Sequence, residues 1–195
     1  MKQQVLDFRK VFGQHDNVIE SICKWNEARY DREFHQQLTL DLLEEEYEEV
    51  KKATIDKDRV ELCDGFGDVF FVAVGAMWKA GYGIKDIEDI FDTIGEASHL
   101  PPLPVALLWL QLDFSNFTLT LAAFAAFTDL EAELESDQAA LDVIRAICVS
   151  NHSKKVEKTA SDVKANLDKG ECYVPPTAKI EQIIEKVEKG HYNAE

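Results

Sequence analysis

The chain has 195 residues, nearly half of them hydrophobic, and a formal net charge of −16. That length fits one domain with a core of its own, and that hydrophobic share excludes general disorder. So negative a chain lacks the electrostatic footprint for a nucleic-acid polymer or an anionic membrane surface. Five prolines and nine glycines are few, and with Ala, Leu, Glu, Lys and Ile plentiful the composition favours a mostly helical protein, read as a single all-α domain over 1–195.

Taken in chain order, Val5 to Phe12 has the pattern of a short amphipathic helix. Asp16-Asn17 offers an N-cap for a second helix running to about Tyr30, with Val18, Ile22 and Trp25 on one side. Two acidic helices follow, over 35–53 and 58–80, and Gly81-Tyr82-Gly83 stops the second. Lys85 to Ala97 gives a further helix striped by Ile87, Ile90, Phe91 and Ile94. After the break at Pro101-Pro102-Leu103-Pro104, single helices are expected over about 105–128 and 137–167. A turn at Tyr173-Val174-Pro175-Pro176 precedes a last helix from Ala178 to Lys189. The stretch Val105 to Phe127 is apolar enough to raise the question of a membrane span. Its Gln111, Asp113, Ser115, Asn116 and several threonines favour a buried core helix.

Cys23, Cys63, Cys148 and Cys172 have no CxxC spacing and read as reduced thiols of a cytoplasmic protein. The N-terminus carries no apolar signal-peptide run. The five histidines are scattered without metal-like spacing, and Trp25, Trp78 and Trp109 read as core rather than base-stacking. One aromatic ahead of the first acidic helix, such as Trp25 or Phe34, is a candidate to stack on a base. Phe66-Gly67-Asp68-Val69-Phe70-Phe71 is faintly echoed by Phe114-Ser115-Asn116-Phe117-Thr118-Leu119, which raises the possibility of a degenerate internal repeat.

The chemistry-bearing residues are four carboxylates in two pairs, Glu46 with Glu49 and Glu61 with Asp64. Residues three apart share a helix face, and the short polar link 54–59 suits an antiparallel hairpin that sets the pairs opposite each other. At ~100° per residue, Leu43, Tyr47, Val50 and Ala53 define the buried arc of the first acidic helix. Glu46 falls inside that arc, Glu49 on its flank, and Glu44, Glu45 and Glu48 face solvent. A carboxylate among apolar neighbours is costly unless something offsets its charge. In the second helix Glu61, Asp64 and Asp68 share one sector of an otherwise apolar element. Gly65 and Gly67 leave room for a close helix approach or a ligand. Opposed carboxylates repel, and the natural counter-ion is a hard divalent cation, Mg²⁺ or Mn²⁺, held by Glu46, Glu49, Glu61 and Asp64. The bland alternative is a solvated acidic face.

Glu45-Glu46-Tyr47-Glu48-Glu49-Val50, Glu61-Leu62-Cys63-Asp64 and the continuation to Gly75 resemble the all-α nucleoside triphosphate pyrophosphohydrolases, the MazG-like and phosphoribosyl-ATP pyrophosphohydrolase-like group. Ser150-Asn151-His152-Ser153-Lys154 resembles a further segment of one branch of that family. The segment 98–140 departs from the family pattern by interposing extra helix before the Asn-Lys segment. The resemblance implies Mg²⁺-dependent hydrolysis of a (d)NTP to (d)NMP and pyrophosphate in nucleotide-pool housekeeping. It implies an antiparallel all-α helical bundle, Asp68 as an outer metal ligand or a residue supporting the ligands, and Asn151 and Lys154 as substrate-binding residues; Glu49, from its place on the flank of the arc, is the candidate acceptor of the water's proton. It also implies a homodimer or a dimer of dimers, or a monomer imitating one if the second half is a repeat. Competing readings are a dUTPase-like or phosphoribosyl-ATP hydrolase, and a non-catalytic helical interaction module.

Overall fold

The computed structural model describes residues 17–95, 100–155 and 170–192. Eight α-helices lie within them: α1 Val18–Arg29, α2 Gln36–Asp56, α3 Arg59–Lys79, α4 Ile84–Gly95, α5 Leu103–Leu112, α6 Asn116–Leu134, α7 Asp137–Ser153 and α8 Thr177–Glu188. The all-α class follows directly. The expected helix over Val5 to Phe12 lies outside the described residues, as do 156–169 and the last three residues.

Local chemistry starts several of these helices. The Asn17 side chain accepts from the Glu20 amide at 3.2 Å, and Asp58 accepts from the Val60 and Glu61 amides at 3.1 Å each. These bonds satisfy amide donors that a first helical turn leaves open. Between α2 and α3 the link is only Lys57-Asp58, shorter than the expected link over 54–59, because α2 continues to Asp56. Lys57 turns the chain in the left-handed region, at φ 57 and ψ 33.

Two expected helices differ from what forms. The apolar run after the prolines is not one helix over 105–128 but two, α5 and α6, divided at Asp113-Phe114-Ser115. The cause is a capping box: Ser115 Oγ accepts from the Thr118 amide at 3.2 Å, while the Ser115 amide donates to Thr118 Oγ1 at 3.0 Å. Its signal is Ser-x-x-Thr between two apolar runs. At the other end, α7 stops at Ser153 rather than running on to 167, with Lys154 extended beyond it. No described helix is long and apolar enough to cross a membrane.

The core has α3 at its centre. Phe70 packs on Phe127 at 6.2 Å, Thr120 Oγ1 lies 3.7 Å from Met77 Sδ, and Asn116 Nδ2 donates to the Tyr82 hydroxyl at 2.8 Å. At the opposite end Arg59 Nε meets Glu133 at 2.7 Å. Residue numbers rise along α3 as they fall along α6, so the two helices are antiparallel. The hairpin α5–α6 therefore stands against the hairpin α2–α3, which gives residues 103–134 their place in the bundle. Asp129 of α6 accepts from the Leu103 amide at 3.2 Å and so caps α5. Phe66 is mid-helix whereas Phe114 lies in the turn before α6, so the two echoing strings do not occupy equivalent places.

Gly65 is required by close approach: a Cβ there would stand 2.8 Å from Val50 Cγ2 and 3.4 Å from the Val50 amide nitrogen. This contact holds α2 and α3 close along the stretch that carries their carboxylates. Gly75 does the same against α1, where a Cβ would lie 2.7 Å from Asn26 Nδ2. Cys23, Cys63 and Cys148 are buried free thiols, and burial pushes each up to about 12. Trp25 is buried, but Trp109 is 45% exposed and is not a core residue. It sits on an α5 face that also shows Leu108 and Leu112 to solvent.

Candidate active site

α1, α2, α3 and the end of α7 enclose a pocket of about 120 Å³. Glu46 and Asp68 face it from α2 and α3, and Asn151 and Lys154 close it from α7. Its remaining walls include Trp25, Asn26, Tyr30, Thr39, Leu42, Phe71, Gly75 and Lys79. The packing thus brings Asn151 and Lys154 to the acidic hairpin despite the helices interposed in sequence. Lys154 Nζ donates to Asn151 Oδ1 at 2.8 Å.

The face expected for α2 is the face that forms. Leu43, Val50 and Ala53 are buried, Tyr47 and Glu46 are partly buried, and Glu44, Glu45, Glu48 and Glu49 are exposed. On α3, Asp64 and Asp68 are partly buried and Glu61 is exposed. Glu49 and Glu61 line a separate open recess at the hairpin end with Lys52, Asp56 and Asp58. The four expected ligands therefore do not share one hollow: Glu46 lines the first, Glu49 and Glu61 line the second, and Asp64 lines neither. Among the described residues no group of three or more His, Cys, Asp or Glu side chains converges on a common metal position.

Electrostatics ties the two hollows together at Asp68. Burial raises its carboxyl well above the usual carboxylate range, and the charges of Asp64, Glu46 and Glu49 raise it further against the lowering effect of Lys154. Four carboxylates around one lysine leave an excess of negative charge. The donor set is all oxygen, which suits a hard divalent cation.

The aromatic end is built differently. Trp25 meets Phe71 edge-on at 5.1 Å and lies 6.1 Å from Tyr30. Its indole Nε1 donates to the Asn151 carbonyl at 2.9 Å, so the same residue walls the pocket and holds α7. Lys79 Nζ stands 3.5 Å from the Tyr30 ring centroid, and burial brings its ammonium down to about 8. Phe34 instead packs on Phe114 at 5.3 Å and does not line the pocket. Sequence reasoning passed over Asn26, Arg29, Tyr30 and Lys79. The available signal was weak: two polar residues on the otherwise apolar side of α1, and a lysine ending an apolar helix.

Residues 9–98, just under half of the chain, match the profile of the family described as phosphoribosyl-ATP pyrophosphohydrolase. This segment is similar to that all-α pyrophosphohydrolase family. The pyrophosphohydrolase match contains α1 to α4, and with them the acidic hairpin. Its activity is hydrolysis of a phosphoanhydride bond, which makes the chain an enzyme of the hydrolase class. Pyrophosphohydrolases of this family are typically metal-dependent. Asn151 and Lys154 lie beyond the matched segment and join the site only through the fold. Neither the curated proteins nor the solved structures gave a match to this chain.

Proposed function

We propose that the protein hydrolyses nucleoside triphosphates, deoxynucleotides among them, between the α and β phosphates. The products are a nucleoside monophosphate and pyrophosphate. The observation that carries this reading is one pocket lined by two unlike kinds of group: Glu46, Asp68, Asn151 and Lys154, and, running on from them, Phe71, Trp25 and Tyr30. The charged groups suit phosphates and the aromatic walls suit a base.

In this reading Glu46 and Asp64 hold a divalent cation, Mg²⁺ or Mn²⁺, with Asp68 behind them and with Glu49 and Glu61 reaching in from the adjoining recess. When bound, such a cation neutralises phosphate oxygens and acidifies a water. Lys154 donates to a phosphate oxygen, and Asn151 fixes the lysine and the sugar-phosphate beside it. Glu49 accepts the proton of the attacking water. The water oxygen joins the α phosphorus as the bond to the bridging oxygen breaks, and pyrophosphate leaves. The demand on the protein is positioning and charge neutralisation rather than covalent help.

The test is pyrophosphate release from a panel of NTPs and dNTPs with Mg²⁺, run beside Glu46→Gln and Asp64→Asn. Metal-dependent release in the parent and its loss in both variants is the expected result. Folded protein that releases nothing from any of them would remove the reading. Phosphoribosyl-ATP belongs in the panel, because the matching family carries that substrate in its description.

The chain further associates as a homodimer or a dimer of dimers through the α5 face, where Leu108 is 51% and Leu112 77% exposed. Apolar side chains grouped this way mark an interaction surface. Sedimentation equilibrium is expected to give at least twice the 22.1 kDa chain mass, and Leu112→Glu with Trp109→Glu should halve it. A monomeric parent would remove the dimer and favour one chain completing the bundle alone.

A further inference from the structure

We infer that Lys79 sets base specificity: its ammonium group donates a hydrogen bond to a ring carbonyl oxygen of the nucleobase, so the site takes keto bases over amino bases. This rests on the pyrophosphohydrolase reading above and adds the class of base to it.

One stripe of α3 enters the pocket: Asp68, then Phe71 and Val72, then Gly75 and Ala76, then Lys79. Steps of three and four residues keep these positions on one side of the helix. At 1.5 Å per residue, Asp68 and Lys79 lie about 16 Å apart along the axis. Glu46, Asp68 and Lys154 occupy the phosphate end, so Lys79 stands at the far end, beside the aromatic walls that suit a ring.

Lys79 is out of keeping with its surroundings. The sequence carries 37 Asp and Glu residues against 21 Lys and Arg, yet among the described residues Lys79 forms no ion pair. It is partly buried, and its close neighbour is the face of Tyr30. A lysine in a last helical turn complements the helix dipole, but an exposed one does so without desolvation. The ring face covers one side of the ammonium and leaves N–H donors for another acceptor. A base carbonyl supplies a neutral acceptor for those donors at the end of the pocket that Tyr30 walls. An exocyclic amine presents N–H groups to N–H groups and leaves the lysine unsatisfied, the situation that produces strong discrimination.

Two substrate pairs isolate the contact, each exchanging one ring carbonyl for an amine: dITP against dATP, and dUTP against dCTP. kcat/KM for pyrophosphate release with Mg²⁺ is measured on the full chain, on Lys79→Met and on Lys79→Arg. The parent is expected to favour the keto member of each pair by roughly 10- to 100-fold. Lys79→Met should bring both ratios near one, with the loss falling on the keto member. Lys79→Arg, which keeps charge and donors, should retain part of the preference. Because Lys79→Met removes a desolvated charge, it should melt no lower than the parent. Ratios near one in the parent, a preference that survives Lys79→Met, or an equal loss on both members each overturn the assignment. No release from any of the four nucleotides refutes the triphosphate reading itself, and with it the base assignment. That outcome is distinct from release without a keto preference.

Discussion

Asp68→Asn is expected to slow pyrophosphate release by roughly 10- to 100-fold, the usual penalty for losing a residue that supports metal ligands, while the metal-free protein melts at a higher temperature. The two effects share one cause. Asp68 titrates well above the ordinary carboxylate value of 3.8, through burial first and then the charges of Asp64 and Glu46. A native carboxyl raised above its unfolded value binds more protons folded than unfolded between those two values. Stability therefore falls as pH rises through that window, and the penalty is complete above it. Asparagine fills the same volume without the charge. Thermal melts of metal-free protein should show the parent gaining stability from pH 8 down toward pH 5 and Asp68→Asn responding less. Mg²⁺ should raise the melting temperature of the parent more than that of the variant. A variant that keeps more than a tenth of the parent's rate would remove Asp68 from the catalytic cluster.

Arg29→Met is expected to cost about 3 kcal/mol of stability, because charged hydrogen bonds and the groups they leave behind are each worth about 1–3 kcal/mol. Arg29 is 2% exposed, the largest fully buried side chain, in a protein whose excess charge is negative. No carboxylate is its partner in the described ion pairs. Its Nη2 donates to the Lys154 carbonyl at 2.9 Å and the Asn151 carbonyl at 3.4 Å, and its guanidinium stacks 4.5 Å from the Trp25 ring centroid. These carbonyls end α7, where a helix leaves acceptors open and carries partial negative charge. Arg29 therefore works as a latch that holds Asn151 and Lys154 at the pocket. Lysine cannot replace it, since a single ammonium cannot span the same carbonyls or stack as a plane. Urea unfolding should show the loss of stability, and steady-state kinetics should show a raised KM for any triphosphate the parent turns over. A variant within 1 kcal/mol of the parent, with an unchanged KM, would show that the latch contributes nothing.

Much of the acidic hairpin was legible in the residues alone. The period of Leu43, Tyr47, Val50 and Ala53 dictates which face of α2 is apolar, and Glu46 falls within it on geometry independent of the fold. Asn17 and Asp58 mark the starts of α1 and α3 by chemistry confined to a single turn. The division between α5 and α6 was also written locally, in Ser115 and Thr118, but apolar residues on both sides hid it behind a continuous hydrophobic run. The early stop of α7 had no comparable local signal.

Other features depended on tertiary packing. Periodicity tells which side of a helix avoids water; it does not tell which neighbour covers that side. Only the packing of α7 against α1 brings Asn151 and Lys154 to Glu46 and Asp68. Gly75 lets Asn26 lie against α3, and that closeness shapes the aromatic end of the pocket. Lys79 reads in sequence as an ordinary last-turn lysine, and becomes a cation at the far end of a cleft only once Tyr30 is placed over it. The sequence by itself determined the helices, the acidic hairpin and the inward glutamate, because those rest on interactions within a few turns of one chain segment. The tertiary structure alone decided which distant residues share the pocket, because that depends on helix faces meeting across the whole length of the chain.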